Sequence, residues 1–158
     1  KAVTAVDFLE GKCSVGNDVI VVGGGMVGAE TAVELAMEGK NVTLVERLNE
    51  IMSAEFVPKQ HKMMLNDMLA HYNVNVLTGH GLTKVTDEGA VVKAAADGNE
   101  KLLKADNVIL SIGMKPNPTI YYDLVQTGAD VYTIGSAKRP GNIILAVEDA
   151  FEIVYNFD

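Results

Sequence analysis

An apolar run, Val19-Ile20-Val21-Val22, stops at three consecutive glycines, and the spacing Gly23-x-Gly25-x-x-Gly28 spans the stop. Glycines so placed after a strand let the chain turn sharply, admit a ligand close to the backbone and seat the next helix against the strand. Residues 29–38 carry Ala29, Ala32, Val33, Ala36 and Met37 at i, i+3, i+4, i+7 and i+8, which predicts a helix with one buried stripe. Glu30, Glu34 and Glu38 fall on another face, and Gly39 supplies the stop. A second apolar run, Asn41-Val42-Thr43-Leu44-Val45, ends at Glu46, eighteen residues beyond Gly28. These are the parts of a dinucleotide-binding βαβ unit, in which a helix N-terminus faces a pyrophosphate and an acid holds a ribose. Gly23, Gly25, Gly28 and the amides of Met26 and Val27 are the expected phosphate contacts. Glu46 is the expected ribose ligand; its carboxylate repels a 2′-phosphate, so NADH is expected over NADPH. Arg47 argues the other way, because a guanidinium can receive that phosphate.

The rest of the chain extends this unit. Pro58 fits the first turn of a second helix, whose Val57, Met64, Leu65, Met68, Leu69 and Tyr72 make one apolar face. Residues 47–55 read as a loop, and Asn73-Val74-Asn75-Val76-Leu77 alternates as a third strand. Three short strand candidates follow at 82–86, 90–95 and 101–103, separated by Asp87-Glu88-Gly89 and Asp97-Gly98-Asn99, both good turn sequences. They predict an antiparallel meander ahead of another buried strand at 107–112, which ends at Gly113. Lys115-Pro116-Asn117-Pro118 then gives a rigid extended connector. A short helix at 120–125, a strand at 130–134, Gly135-Ser136 and a helix from 143 to 157 complete the reading, with a further short helix at 4–9. The fold class is therefore α/β: a parallel sheet with helices and a three-stranded antiparallel meander.

A hydrophobic content of 48% over 158 residues suffices for a core. The net charge of −8 argues against a nucleic-acid partner, which wants clustered Lys and Arg. No apolar run approaches the roughly 20 residues that span a bilayer, so no membrane partner is expected and a cytoplasmic location is. Cys13 is the single cysteine, which excludes an intramolecular disulfide and leaves a cysteine-based metal site unsupported. His61, His71 and His80 lack metal-ligand spacing, so no metal site is expected, and Met63, Met64 and Met68 read as core filler. Because the chain opens at Lys1, it is expected to be a piece of a longer polypeptide.

Taken together, these motifs resemble the two-dinucleotide-binding flavoprotein superfamily, which includes the pyridine nucleotide–disulfide oxidoreductases. The resemblance implies a Rossmann-like NAD(P)-binding domain at 17–113, with 1–16 and 114–158 belonging to an FAD-binding domain. In that family the glycine motif is commonly followed by a Glu, as at Glu30, which the resemblance places near nicotinamide and flavin; an acid favoured by the helix dipole is the plainer explanation. Leu82 matches a residue that walls the adenine, although a core leucine fits equally. Gly113 matches a glycine whose backbone lies against the nucleotide. Gly135-Ser136 resembles the later FAD motif, usually written Gly-Asp. Ser136 departs from it, keeping a hydrogen-bond acceptor for the flavin side chain but losing the charge. Without a second cysteine, the disulfide chemistry of the glutathione-reductase relatives is excluded.

The stretch Gly135-Ser136-Ala137-Lys138-Arg139-Pro140-Gly141 with Ala146, Val147, Ala150, Phe151 and Glu152 resembles the C-terminal end of enoate reductases, 2,4-dienoyl-CoA reductases and trimethylamine dehydrogenase. That likeness implies NADH reducing FAD, with electrons passing to a 4Fe-4S cluster and FMN in an N-terminal barrel outside these 158 residues. No residue here is expected to be catalytic in itself, and the fragment alone is expected to be inactive. Two other readings remain: a domain of another NADH oxidase or ferredoxin-reductase-type flavoprotein, and a non-catalytic NAD-sensing domain. A homo-oligomer is left open.

Overall fold

Val19 through Val22 are buried on both faces of a parallel sheet, which is why the run reads as continuously apolar rather than alternating. The computed structural model describes residues 1–54 and 57–156, and the chain divides into two units, 1–113 and 114–158. In the first unit the elements are β1 (Ala2–Thr4), α1 (Ala5–Leu9), β2 (Asp18–Val22), α2 (Met26–Met37), β3 (Asn41–Val45), α3 (Lys59–His71), β4 (Asn75–Leu77), β5 (His80–Thr86), β6 (Gly89–Ala94), β7 (Glu100–Lys104) and β8 (Asn107–Leu110). The parallel sheet has the order β1-β8-β2-β3-β4. The chain leaves β2 toward β3 and β4 on one side, and returns to its other side as β8. β2 therefore lies at the point where strand order reverses, and open α/β sheets bind ligands at the carboxyl ends of their strands at such a point.

Strand periodicity assigns the two faces of the sheet. Val19, Val21, Leu44 and Ile109 point to one core with Ala29, Ala32 and Leu35 of α2 and Leu65 and Leu69 of α3. Ile20, Val22, Val45 and Val108 point to the other, where Ala90, Val92 and Ala105 of the meander region meet them. The antiparallel sheet β5-β6-β7 thus covers the face opposite the helices. The expected α/β class holds, as does the meander.

Several boundaries differ from expectation. Residues 2–4 form a strand paired with β8 (Ala2 with Val108, Thr4 with Leu110), where the sequence suggested only a helix from residue 4. Thr4 instead caps α1, its hydroxyl oxygen accepting from the Asp7 amide. Residues 1–16, set apart from the nucleotide domain on sequence, here add a strand and a helix to the same unit. On α2 the buried arc is wider than one stripe. Met37 is 55% exposed, whereas Leu35 is 0% and Thr31 1% exposed. The sheet, α1 and α3 all pack on α2, so it is covered from more than one side. On α3 only Leu65 and Leu69 are buried. Met63 and Met64 are exposed and so are not core filler, while Met68 packs partly against the core.

The second unit holds α4 (Thr119–Val125), a single 3-10 turn (Gly135–Ala137) and α5 (Ile143–Tyr155). The strand expected at 130–134 does not form: a β-like sequence needs a neighbouring ladder, and among the described residues this unit contains no strand to supply one. Residue 55 of the expected loop and the expected helix end at 157 lie outside the described residues. No described helix is long and apolar enough to cross a membrane.

Candidate functional site

The carboxyl ends of β2, β3 and β8 converge on the glycine turn, and its glycines are there for different reasons. Gly23 has φ +105°, and a Cβ on it would run into the Ser111 carbonyl beyond β8. A Cβ on Gly28 would overlap the Gly23 carbonyl and stand 3.3 Å from the Ser111 side chain. Both glycines are required by the packing of the turn itself. Gly25 is not. It caps α2 at φ −70°, ψ −175°, an extended conformation open to any residue, and a Cβ there would meet nothing within 4 Å.

What a side chain at Gly25 would occupy is the solvent-facing cradle at the N-terminus of α2. The first amides of a helix have no intrahelical acceptor. Here the Ala29 N–H reaches back to Gly25 O at 3.0 Å, and among the described residues no acceptor meets the N–H groups of Met26 and Val27. Bare amides, a helix dipole of about half a positive charge and an open glycine surface make a cradle that fits the phosphates of a dinucleotide.

Glu46, which follows β3, closes one side of this cradle. Its Oε2 accepts the Gly24 N–H at 2.6 Å and its Oε1 accepts the Leu48 N–H at 2.7 Å. The Met52 N–H in turn donates to Gly24 O at 2.7 Å. Gly24 was not singled out from the sequence, although the unbroken glycine triplet was the available signal. A Cβ on it would lie 2.6 Å from Ile51 Cγ2 and 2.9 Å from Glu46 Cβ. Arg47 is exposed, and its stem passes Gly81, with Cγ 3.7 Å from where a Cβ would stand.

The other candidates divide. Gly113 has φ +92° with open space around its missing Cβ, so the backbone requires glycine and the surface there stays clear. Leu82 packs against the core between the meander and the sheet. Glu30 lies on α2 against α3, its Oε1 3.0 Å from His61 Nε2. His71 stacks edge-on with Tyr72, and His80 Nδ1 lies 2.7 Å from the Thr78 carbonyl. Cys13 is half-buried beside a shallow cleft with Thr4, Asp7 and Lys12. Among the described residues no cluster of His, Cys, Asp or Glu could hold a metal ion.

In the second unit, a buried acid holds the Gly135-Ser136 turn. Asp149 on α5 is 4% exposed; its Oδ2 accepts the Gly135 N–H at 3.1 Å and its Oδ1 pairs with Lys138 Nζ at 2.7 Å. The Lys138 ammonium, followed by the Gly135 amide, holds the Asp149 carboxyl below its ordinary range against the opposing effect of desolvation. Ser136 is left exposed at the surface of the turn. Nothing in the sequence spacing singles out Asp149, because its partners are eleven and fourteen residues away across a turn.

The chain matches the family model described as pyridine nucleotide-disulphide oxidoreductase over residues 3–138. Cinnamate reductase of Clostridium sporogenes is 32% identical over 99% of the chain, and an NADH oxidase of Thermoanaerobacter brockii is 34% identical over 96%. Among solved structures, 2-naphthoyl-CoA reductase in complex with 2-naphthoyl-CoA superposes with a TM-score of 0.84 at 25% identity, covering 99% of the chain. The chain spans 23% of the length of each of these three proteins.

Proposed function

This chain belongs to the pyridine nucleotide-disulphide oxidoreductase family, and from that premise we propose that its glycine turn binds a pyridine dinucleotide, NADH in preference to NADPH. We further propose that the chain is the nucleotide-binding part, with a following FAD-domain segment at 114–158, of a flavin-dependent oxidoreductase of the enoate reductase and 2,4-dienoyl-CoA reductase type. The observation that carries the first reading is Gly25: neither backbone conformation nor packing needs glycine there, so the surface it clears is explained by a ligand.

Met26 and Val27 donate their amides to the pyrophosphate, aided by the dipole of α2. Glu46 presents carboxylate charge where a ribose would lie, which disfavours a 2′-phosphate. Gly113 keeps the nucleotide edge free of a side chain. Ser136 offers a hydroxyl to the flavin side chain in place of the usual carboxylate. A reduced nicotinamide held by this family supplies a hydride to a flavin, and the chain's residues contribute placement and electrostatics. FMN and a 4Fe-4S cluster would belong to a barrel domain outside these residues.

The test is titration of the 158-residue chain with NADH and, in parallel, NADPH, followed by nicotinamide fluorescence and calorimetry. Saturable binding with the tighter constant for NADH is expected. A folded chain that shows no saturable signal at millimolar NADH overturns the reading, and tighter binding of NADPH overturns the cofactor preference.

A further inference from the structure

Both oxygens of Glu46 accept backbone N–H groups, one from the glycine turn and one from the loop that follows β3. We propose that Glu46 is a positioning residue: it latches the glycine turn to the 46–52 loop, setting the shape of the cradle before any nucleotide arrives. The proposal deepens the nucleotide reading of this site and rests on it for its consequence, though its geometry stands without a ligand.

Four observations converge on the latch. One carboxylate bridges Gly24 and Leu48, with both contacts short, as expected when the acceptor is ionised. The loop returns the contact, because the Met52 N–H donates to the carbonyl of the same Gly24. Met52 holds φ +50°, an uncommon conformation for a non-glycine residue, and it is buried with Ile51. That conformation is supported by the packing around it. Finally, Gly24 has no room for a Cβ between Ile51 and Glu46, so glycine at the middle of the triplet is what lets the latch close. Residue 46 is also fixed through its own backbone, since its N–H donates to Leu77 O and its carbonyl accepts from His80 N–H. The carboxylate therefore reaches the turn from a rigid base.

A carboxylate retains lone pairs beyond two hydrogen bonds, so a latched Glu46 can still meet a ribose. Latching also prevents it from swinging away, which reduces the ordering cost when ligand binds.

The test is amide hydrogen exchange, read residue by residue by NMR, on the nucleotide-free 158-residue chain and its Glu46→Gln variant. A glutamine side chain has one acceptor oxygen in place of two. Exchange at Gly24 or Leu48 is expected to speed up at least tenfold, while Val21 and Leu44 in the sheet keep their protection. A second variant, Gly24→Ala, drives a methyl into Glu46 and Ile51 and is expected to speed exchange at Leu48, which its own backbone change does not touch. Unchanged exchange at both amides in Glu46→Gln, or at Leu48 in Gly24→Ala, overturns the latch. Loss of NADH affinity in Glu46→Gln with unchanged exchange would leave Glu46 a ligand contact only, with the nucleotide reading intact. Faster exchange in a chain that binds no NADH would support the latch while the nucleotide reading falls.

Discussion

Two glycines three residues apart should respond to substitution in opposite ways, and the contrast tests whether the turn is shaped for folding or for a ligand. At Gly25 a valine side chain enters open space from an allowed backbone conformation. Replacing glycine stiffens the unfolded chain, a gain of about 0.4–1 kcal/mol. A poorer helix cap offsets that by a few tenths to about 1 kcal/mol. The two nearly cancel, so Gly25→Val should melt within about 3 °C of the parent chain. Its three added carbons nevertheless fill the cradle over the Met26 and Val27 amides, and NADH affinity should fall at least ~100-fold, about 2.7 kcal/mol. At Gly28 the balance reverses. Alanine is favoured over glycine in a helix by about 1 kcal/mol. Its Cβ, however, overlaps the Gly23 carbonyl, a backbone atom that cannot rotate aside. Overpacking of this kind costs roughly 1–3 kcal/mol, here at the upper end. Gly28→Ala should lose about 2 kcal/mol net, or about 8 °C at roughly 4 °C per kcal/mol for a unit of this size. Thermal melts of both proteins by circular dichroism and an NADH titration of Gly25→Val give all three numbers. A stable Gly25→Val chain that keeps its NADH affinity would refute the assignment, because the cradle would then hold nothing that a side chain displaces.

Three further outcomes follow from the same geometry. Asp149→Asn removes a carboxylate whose folded pKa lies below the ordinary value of 3.8, so the stability it contributes is present above that pH and is lost as pH falls through the folded value. In acid unfolding followed by circular dichroism, the parent should be the more stable above pH 4, with the gap closing below it; a constant gap would refute the Lys138 pairing. Leu35→Ala should cost about 3 kcal/mol and Met37→Ala no more than about 0.5 kcal/mol. Equal costs in denaturant melts would contradict the burial of α2. Glu46→Gln should narrow the ratio of NADPH to NADH dissociation constants, since it removes the charge that opposes a 2′-phosphate; an unchanged ratio in parallel titrations would leave discrimination to Arg47 or elsewhere.

The glycine turn was legible because its information is local. Val19–Val22 is apolar on both faces, the glycines follow within one turn, and Glu46 ends the very next strand, so spacing alone placed them together. The strand Ala2–Thr4 was not legible for the opposite reason. Three residues are too few to display a period, and the pairing that makes them a strand lies with β8, more than a hundred residues away. Residues 130–134 failed in the reverse sense: Val131, Tyr132, Thr133 and Ile134 suit a strand by composition, but propensity cannot furnish the neighbouring ladder. Met37 and Leu35 show the same limit on a helix. A 3.6-residue stripe describes a helix packed on one surface, whereas α2 has the sheet on one side and α1 and α3 on others.

Within the turn, sequence spacing treats Gly23, Gly25 and Gly28 as equivalent members of one motif, and the physics separates them. Two are fixed by backbone atoms a methyl would strike, so a protein using this turn only as a structural corner would still keep them. Gly24 is fixed by the Glu46 and Ile51 side chains and would vary with them. Only Gly25 lacks a steric reason, its helix-capping preference being small and shared with other residues, so its identity is the one that speaks to binding. The motif's value as evidence for function therefore rests on its middle glycine, and the other two report on how β2, α2 and the residues after β8 are packed together.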